Sequence, residues 1–166
     1  MSTFAFCPQC GQSLPAGDPL HQTCAGCATI HYKNPTPVAV ALLRVDDGLL
    51  IGQRNISPKR GEWALPGGFI EEGENAQMGA ARELFEETGL VVPSEAFRVI
   101  DTLVTPPGTQ LLIFCEGPRL TRAEFDALQG ALPADHPETQ ALGVMTPSQV
   151  LAFPLHTKVA HALLAG

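Results

Sequence analysis

The sequence predicts an α/β protein in two parts, a small cysteine-rich module over residues 1–34 and a larger domain over residues 35–166. Two Cys-x-x-Cys pairs define the first part. In the second part, short apolar segments that favour strands are interspersed with segments rich in Ala, Leu and Glu that favour helices. With 166 residues, 45% of them hydrophobic, the chain is long enough for one ordinary core and a small metal-bound module.

The cysteines of the first part form the pairs Cys7-Pro-Gln-Cys10 and Cys24-Ala-Gly-Cys27, with thirteen residues between the pairs. This pattern is typical of a zinc ribbon, in which four thiolates hold one structural Zn²⁺ in a closed tetrahedral site. Two disulfides are the alternative, which nothing else in the sequence favours. Cys115 lies alone in an apolar segment, which indicates a buried thiol rather than a nucleophile.

The larger domain is predicted to begin with two strands. Asn34-Pro35-Thr36-Pro37 marks the boundary, because the prolines favour extended backbone. Strands are predicted at Val38–Arg44 and Leu49–Gln53, joined by a hairpin turn at Asp46-Asp47-Gly48. The elements predicted after these are, in order, a helix from about Asn75 to Thr88, strands at Phe97–Val104 and Gln110–Cys115 around a Pro106-Pro107-Gly108 turn, a capped helix from Thr121 to about Leu128, a strand at Glu138–Val144, a turn of helix from Thr146 and a terminal helix at Lys158–Leu164.

The first of these helices has an unusual acidic face. At 100° per residue its apolar residues share one arc that is predicted to face a core: Met78, Ala80, Ala81, Leu84 and Phe85. Glu83, Glu86 and Glu87 lie together on the opposite side, where like charges and the negative end of the helix dipole make them unfavourable. Such a conflict is typical of a functional site, and Mg²⁺ or Mn²⁺ is the ion that carboxylate ligands favour. A solvated acidic surface is the alternative.

The segment from Gly68 to Leu90 resembles the Nudix box, the sequence signature of hydrolases that cut a diphosphate linked to another group. The family pattern is a Gly, five residues, a Glu, seven residues, then Arg-Glu-aliphatic-x-Glu-Glu-x-Gly-aliphatic. Every fixed position is filled in this chain, by Gly68, Glu74, Arg82, Glu83, Leu84, Glu86, Glu87, Gly89 and Leu90. The resemblance implies a pyrophosphatase that depends on Mg²⁺ or Mn²⁺, and an α/β/α sandwich built on a mixed sheet.

The resemblance also implies which residues hold the metal. Glu86 and Glu87 are implied as ligands, and Glu83 as a ligand or as the base that activates water. The carbonyl group of Gly67 often adds a further ligand in this family. One more carboxylate often comes from a later part of the chain, and Glu138 is the candidate here.

Other residues of the larger domain are implied as positioning or substrate-binding groups. Arg82 is expected to hold the acidic side chains in place rather than to touch substrate, and Glu74 to be an outer ligand or the partner of Arg82. Arg54 precedes the box and is a candidate phosphate contact, with a solvated loop charge as the alternative. The remaining candidate substrate contacts are Trp63, Gly68 and Phe69, although for the two aromatic residues a place in the core is expected before a contact with a base.

Three further segments, Tyr32-Lys-Asn-Pro35, Trp63 before Leu-Pro-Gly-Gly, and Leu151-Ala-Phe-Pro154, resemble Nudix hydrolases that have an N-terminal zinc ribbon. NADH pyrophosphatases share that architecture, but their Ser-Gln-Pro-Trp-Pro-Phe-Pro motif has no match here. Pro106 lies sixteen residues beyond Leu90, which resembles the ADP-ribose pyrophosphatases, although a hairpin turn also explains it. ADP-ribose or FAD is therefore the expected substrate. An NADH pyrophosphatase, or a sensor that binds a nucleotide without cleaving it, is the alternative.

Charge and hydropathy argue against nucleic acid and membrane partners. The net charge is −7, and Lys33 is the one Lys or Arg in residues 1–34, so the ribbon is expected to serve folding, docking or homodimer formation rather than binding of nucleic acid. The apolar segments are too short to span a membrane. The first residues lack the pattern of a signal peptide, and paired reduced cysteines favour a cytoplasmic location.

Overall fold

A computed structural model of the protein describes residues 4–14, 20–106 and 108–166. The first three residues, which belong to the segment considered for a signal peptide, and Pro107 of the predicted turn lie outside these ranges. The chain divides into two compact units, Met1–Pro35 and Thr36–Gly166. No helix in the described ranges is both long and apolar enough to cross a membrane.

The N-terminal unit is built on a short hairpin and two similar turns. Strand β1 (His21–Thr23) pairs antiparallel with β2 (Ile30–Tyr32). In the first turn the N–H of Gly11 donates to the carbonyl oxygen of Cys7 (2.8 Å), and in the second the N–H of Ala28 donates to that of Cys24 (2.9 Å). Gly11 and Ala28 both adopt the left-handed backbone conformation, with φ of 74° and 58°. The two turns therefore have the same geometry, although only one of them has glycine where glycine is favoured.

The second unit contains two sheets. The first consists of β10 (Thr139–Met145), β5 (Gly48–Arg54) and β4 (Arg44–Val45) in that order, with β6 (Trp63–Ala64) also paired to β5, and all its pairs are antiparallel. The second has the order β7 (Gly67–Phe69), β3 (Thr36–Leu42), β9 (Gln110–Glu116) and β8 (Arg98–Val104). Strands β3 and β9 are parallel whereas the other pairs are antiparallel, so this is the predicted mixed sheet.

Helices cover both faces of these sheets, and β3 shows why. Its residues alternate between two cores, since successive side chains of a strand point to opposite faces. Ala39 and Ala41 belong to a core shared with α1 (Ala76–Thr88) and α2 (Arg122–Ala131). Val40 and Leu42 belong to a second core shared with α3 (Pro154–Ala165). A strand buried on both faces between helices confirms the predicted α/β/α sandwich.

Three predicted elements differ from the structure. The hairpin turn at Asp46 joins β4 to β5, and β3 does not pair with β5 as predicted. Strand β3 pairs with β7 and β9 instead, inside a sheet where both of its apolar faces are buried. Residues 146–150 form a turn rather than a helix. The last helix begins at Pro154 rather than Lys158, since proline in the first turn of a helix lacks only an N–H that would have no partner there.

Helix α1 begins and ends as its sequence predicts, but its buried face is rotated. The side chain of Asn75 accepts a hydrogen bond from the N–H of Met78 (2.9 Å), and Gly89 ends the helix with φ of 78°. Ala80 and Leu84 are buried as expected. The burial predicted for Met78 and Phe85 is wrong, because these side chains are 42% and 52% exposed. The residues that face the sheet instead are Gly79, Ala80, Glu83, Leu84 and Thr88.

The left-handed conformation of Ala28 gives a stability prediction. Ala28→Gly should stabilise the N-terminal unit by about 1 kcal/mol, because a Cβ is unfavourable at this φ. Gly11→Ala is the matched control. It should destabilise the unit by a similar amount through the unfavourable backbone conformation alone, because no atom within 4 Å would clash with the added methyl group. Amide hydrogen exchange of β1 and β2 measures both effects, and equal exchange in the two variants would contradict this explanation.

Candidate active site and cysteine cluster

The Nudix-box residues of β7 and α1 lie in close contact because of two glycines. A Cβ on Gly68 would lie 2.3 Å from Oε1 of Glu83, and one on Gly67 would lie 2.4 Å from the carbonyl oxygen of Ala39. Either distance is too short for a real side chain. Glycine at both positions therefore lets β7 approach β3 on one side and the carboxylate of α1 on the other. As a result Glu83, which is expected on an exposed acidic face, is only 9% exposed.

Arg82 connects the acidic residues of the box to the loop before α1. Its Nε and Nη2 donate to the two carboxylate oxygens of Glu74 (2.8 and 3.0 Å), and Nη2 also donates to the carbonyl oxygen of Phe69 (2.8 Å). Its Nη1 donates to Glu83 (2.8 Å) and to Glu86 (3.0 Å). The bidentate contact with Arg82 lowers the pKa of Glu74. The positive charge of Arg82 therefore lies beside two residues of the acidic face, Glu83 and Glu86. The helical periodicity of α1 alone does not indicate these contacts.

Glu87 and Glu138 bring further negative charge to the same place. Burial, followed by the charges of Glu83 and Glu138, raises the pKa of Glu87 to about 8. Burial also raises the pKa of Glu83, although the hydrogen bond from Arg82 opposes this change. Glu138 precedes β10 and is exposed. The region around Glu87 therefore holds more carboxylate charge than Arg82 compensates, which is the environment that a divalent cation favours.

His136 fixes the segment that carries Glu138. Its Nδ1 accepts hydrogen bonds from the backbone N–H groups of Glu138 (3.2 Å) and Thr139 (3.0 Å). The proton of the neutral ring must then be on Nε2, which donates to the carbonyl oxygen of Glu86 (2.9 Å). The side chain of Asn55 also donates to the carbonyl oxygen of His136 (2.9 Å). His136 was not among the candidates from the sequence, where its position two residues before Glu138 is the only local indication of this role.

A cleft of about 730 Å³ lies over the box acids, a volume suited to a nucleotide-sized ligand. Four acids, Glu83, Glu86, Glu87 and Glu138, belong to its lining. Arg54, the loop at Ile56–Pro58 and the start of α3 at Phe153–His156 line it as well. The cleft therefore combines a group of acids with the guanidinium group of Arg54 and with several apolar side chains.

The candidate substrate contacts divide between this cleft and other parts of the domain. Arg54, Gly68 and Phe69 line the cleft, as does Pro106. Glu74 is not among the lining residues, because its carboxylate is occupied by Arg82 and by the N–H of Glu71. Trp63 packs against a core rather than lining the cleft. This residue pairs in β6 and packs so closely on Gly143 that a Cβ there would lie 2.9 Å from the indole ring, away from the lining of the cleft.

His156 is a second residue of the cleft that was not among the candidates from the sequence. It follows Pro154 in the first turn of α3, and its ring contacts those of Phe114 and Phe153, whose centroids are 5.9 and 5.1 Å away. Burial, together with the positive charge of Arg54, lowers the pKa of His156 to about 4, so the ring is neutral near pH 7. An isolated histidine in an apolar segment gives no local signal of such a position.

The four N-terminal cysteines converge in the first unit. All four Sγ atoms lie within 4.8 Å of one another, with Cys7 to Cys27 at 3.7 Å and Cys10 to Cys24 at 3.5 Å. Four sulfurs bound at about 2.3 Å to one tetrahedral ion would lie about 3.8 Å apart. A disulfide needs about 2.05 Å, and these cysteines are free thiols. The donor set and its spacing therefore fit a zinc site with four cysteine ligands.

Neighbouring side chains support this cluster, and Cys115 is separate from it. Nε2 of His31 lies 3.2 Å from Sγ of Cys7, a contact that the sequence pattern does not indicate. The hydroxyl oxygen of Thr29 lies 3.2 Å from Sγ of Cys27, and this hydrogen bond lowers the pKa of Cys27 to about 6, which favours the thiolate that binds metal. Cys115 is buried in the second unit, where desolvation raises its thiol pKa to about 11, as expected of an unreactive core cysteine.

Curated proteins similar to this chain align with it over about half its length. A NAD-capped RNA hydrolase NudC of Vibrio cholerae serotype O1 is 35% identical over 91 residues, which are 54% of this chain and 34% of that protein. The protein of the same name from Edwardsiella ictaluri is 35% identical over 88 residues, which are 52% of this chain and 34% of that protein. The chain thus spans about a third of the length of the curated relatives that it matches.

Solved structures and a family model agree with the fold described above. The crystal structure of a NUDIX hydrolase from Nitrosomonas europaea is similar with a TM-score of 0.70 and 25% identity, over 98% of this chain and 91% of that one. The NUDIX domain of NrtR from Shewanella oneidensis, solved in complex with ADP ribose, has a TM-score of 0.61 and 21% identity, over 80% of this chain and 88% of that one. Residues 34–164 match the family model described as NUDIX domain. The chain therefore belongs to the Nudix family, as the box between Gly68 and Leu90 predicts.

Proposed function

We propose that the protein hydrolyses the diphosphate bond of a nucleoside diphosphate linked to a second moiety, and that it needs Mg²⁺ or Mn²⁺ to do so. The observation that carries this proposal is the concentration of carboxylates around Glu87 in the lining of a nucleotide-sized cleft. Burial and like charge both destabilise ionised carboxylates, so stability of the fold does not explain this arrangement, whereas a functional site does. The complete Nudix box at this position supports the same conclusion.

The chemistry of the donors suits a hard divalent cation, whereas among the described residues their oxygens do not converge as the cysteine sulfurs do. Glu83, Glu86, Glu87 and Glu138 would supply carboxylate oxygens, and Gly67 would supply a carbonyl oxygen. When bound, such an ion neutralises the charge of a diphosphate and lowers the pKa of a bound water. The protein's own contribution is to hold these oxygens in place.

Two different side chains hold the acidic residues in position. Arg82 orients Glu83 and Glu86, and it is held in turn by Glu74 and Phe69, so we assign it a positioning role rather than a contact with substrate. His136 orients the backbone of Glu138. Glu83 and Glu138 are the two candidates for the base that takes the proton of the attacking water, since the charges of both act on Glu87 within the acidic cluster.

The substrate is proposed to be ADP-ribose or FAD. Pro106 supports ADP-ribose through its resemblance to that subgroup, and the cleft has room for the two halves of such a molecule on either side of a diphosphate. The relatives named NAD-capped RNA hydrolase make NAD-type substrates, free or on RNA, the second candidate. The net charge of −7 disfavours the RNA-linked form, because binding of a polyanion requires clustered positive charge.

The N-terminal unit is proposed to be a structural zinc ribbon over residues 1–34, followed by the catalytic domain over residues 35–166. Four thiolates would fill the coordination sphere of Zn²⁺ and leave no position for substrate. The ribbon is therefore assigned to folding or to homodimer formation, and its reduced thiols suit a cytoplasmic location.

Substitution of Glu87 tests the catalytic assignment. Glu87→Gln should lower kcat/KM for ADP-ribose with Mg²⁺ at least 100-fold, because it removes a negatively charged metal ligand and leaves the side-chain volume nearly the same. Glu72→Gln is the matched control, since Glu72 is an exposed acid of the same segment outside the fixed pattern, and it should retain near-parental activity. Equal activity of the two variants would show that the acidic face is not the active site.

The raised pKa of Glu87 predicts how stability depends on pH in protein freed of Mg²⁺ and Mn²⁺. Because the folded-state pKa of about 8 exceeds the ordinary value of 4.5, the folded state holds this proton more tightly than the unfolded state. The protonated carboxyl group of Glu87 therefore stabilises the folded state fully below pH 4.5, and this stabilisation is lost as the pH rises through 8. Relative to Glu87→Gln, the wild type should lose on the order of 2 kcal/mol of unfolding free energy between about pH 5 and pH 8. Urea unfolding of both proteins at the two pH values measures this difference, and added Mg²⁺ should restore stability to the wild type alone.

Metal analysis tests the ribbon. The purified protein should contain one zinc per chain, and Cys24→Ser should lose it because three thiolates bind Zn²⁺ much more weakly than four. Cys115→Ser is the control and should keep the zinc, since Cys115 lies in the core of the other unit. Cys24→Ser should still show the circular dichroism of the larger domain, which has its own cores. A zinc-free wild type with cysteine disulfides would contradict the assignment.

Comparison of substrates tests the proposed specificity. ADP-ribose or FAD should have a higher kcat/KM than NADH or nucleoside triphosphates under one Mg²⁺ condition, and NAD-capped RNA should not exceed free NAD. A kcat/KM for NADH tenfold above those for ADP-ribose and FAD, a margin of about 1.4 kcal/mol, would favour the NADH alternative. Tight binding of a nucleotide without turnover would instead favour a sensor.

A further inference from the structure

One residue that lines the cleft has a buried polar atom without a partner in the described part of the chain. His156 is 6% exposed, and its Nδ1 has no hydrogen-bond partner among the residues that the structure describes. Buried polar groups are nearly always hydrogen-bonded, because their desolvation is otherwise uncompensated. His156 also lines the cleft, and no hydrogen bond of its ring is present in the described ranges, so a ligand bound in the cleft is a source of the polar contact that the ring lacks.

Aromatic packing alone does not account for a histidine at this position. The ring of His156 makes an edge contact with Phe114, with an interplanar angle of 80°, and a tilted contact with Phe153. A phenylalanine would make the same contacts without burying an unpaired nitrogen. The imidazole is therefore a cost to the folded protein unless it binds something.

Arg54 and His156 both line the cleft, and each of them lies against the ring of Phe153. The guanidinium carbon of Arg54 is 5.2 Å from the centroid of the Phe153 ring, and its Nε donates to the carbonyl oxygen of Pro58 (2.9 Å). In the described ranges its two terminal nitrogens have no hydrogen-bond or ion-pair partner, although the guanidinium is held on both sides. Such a preorganised group is suited to a phosphate. Its charge acts on both Glu87 and His156, so it lies near the acidic cluster as well as near the histidine.

The neutral ring of His156 is suited to a different group. A neutral imidazole has one N–H donor and one acceptor nitrogen, so it pairs with a hydroxyl group or with a ring nitrogen or amine of a base rather than with a phosphate. The first turn of α3 supports a polar ligand here as well, because the side chain of Phe153, the residue at its N-cap, cannot cap this helix.

We propose that Arg54 and His156 form a subsite for one nucleoside or sugar half of the substrate, in which Arg54 binds the phosphate and His156 hydrogen-bonds a neutral polar group of the attached sugar or base. The inference rests on the proposed function and adds to it a specificity-determining residue. In this arrangement the box acids act on the diphosphate while His156 selects what is attached to it.

Binding measurements on His156→Phe test the subsite without requiring catalysis. The probes are ADP-ribose, AMP and ribose 5-phosphate, measured by calorimetry without Mg²⁺. His156→Phe should weaken ADP-ribose binding at least tenfold while its melting temperature equals or exceeds that of the wild type, because the packing is kept and the unpaired nitrogen is removed. The same loss for AMP identifies the adenosine half as the occupant, and the same loss for ribose 5-phosphate identifies the ribose half.

Two further variants separate recognition from a structural effect. His161→Gln is the matched control on the same helix, where Nε2 of His161 contacts the carbonyl oxygen of Gln149 (2.8 Å) outside the cleft, and it should bind all three probes normally. His156→Asn keeps a short side chain with both a donor and an acceptor and should recover part of the affinity that the Phe variant loses. With Mg²⁺, His156→Phe should raise KM for ADP-ribose while kcat changes less than about twofold.

The outcomes distinguish this inference from the proposed function. Normal ADP-ribose affinity in His156→Phe, or absence of binding of every probe by the wild type, overturns the subsite. If His156→Phe does not fold, His156→Leu decides, because leucine is also apolar and has neither donor nor acceptor, and wild-type ADP-ribose affinity with unchanged KM in that variant overturns the subsite. Binding by the wild type with no turnover of any substrate would overturn the hydrolase proposal alone.

Discussion

The contact between the guanidinium group of Arg82 and the acids around it is the interaction on which the candidate active site depends. Glu83 and Glu86 repel each other, and Glu83 is also buried, so neither position is favourable in an isolated helix. Arg82 compensates both acids, and Glu74 and Phe69 fix Arg82 to the loop before α1. Since Arg82 lies within the same helix, the compensation is formed as soon as the helix and its preceding loop are formed. It does not extend to Glu87, and this imbalance leaves a place for a cation.

The packing of α1 on the sheet follows from the same arrangement. Gly68 in β7 and Gly79 in α1 remove side chains from the interface, where a Cβ on Gly79 would lie 3.2 Å from the Cβ of Ala39. The helix therefore approaches the strand along the side that carries Glu83, and Phe85 is turned to solvent. The loss of apolar burial for Phe85 is the cost of placing a carboxylate against the backbone of β7.

The sequence predicts the local features of this site and misses the non-local ones. The caps of α1, the pairs of cysteines and the spacing of the box depend on residues a few positions apart, so a linear pattern contains them. The face of α1 that is buried depends on glycines of another strand, and β3 pairs with β9, a strand far away in the sequence, so periodicity alone gives the wrong face and the wrong neighbour. His136 and His156 were missed for the same reason. His136 contacts the carbonyl oxygen of Glu86, which is fifty residues away, and the ring neighbour of His156 is Phe114.

His136 explains how an acid from a distant segment can belong to the same rigid site as the box. The carbonyl oxygen of Glu86 is in the last turn of α1, where carbonyl groups have no partner within the helix. The Nε2–H of His136 satisfies that carbonyl, while Nδ1 holds the backbone at Glu138. One neutral side chain thus completes the end of the helix and fixes the segment before β10 to it. Arg54 joins the same body through β10, because it pairs with Thr139 and the N–H of its neighbour Asn55 donates to the carbonyl oxygen of Glu138 (2.8 Å). His156, by contrast, lies on the first turn of α3, and in the described ranges no hydrogen bond links it to the box acids or to Arg54. The proposed metal ligands and Arg54 therefore belong to one connected group of elements, whereas the residue proposed to select the attached moiety belongs to another, so a substitution at His156 can change ligand contacts without moving the acids.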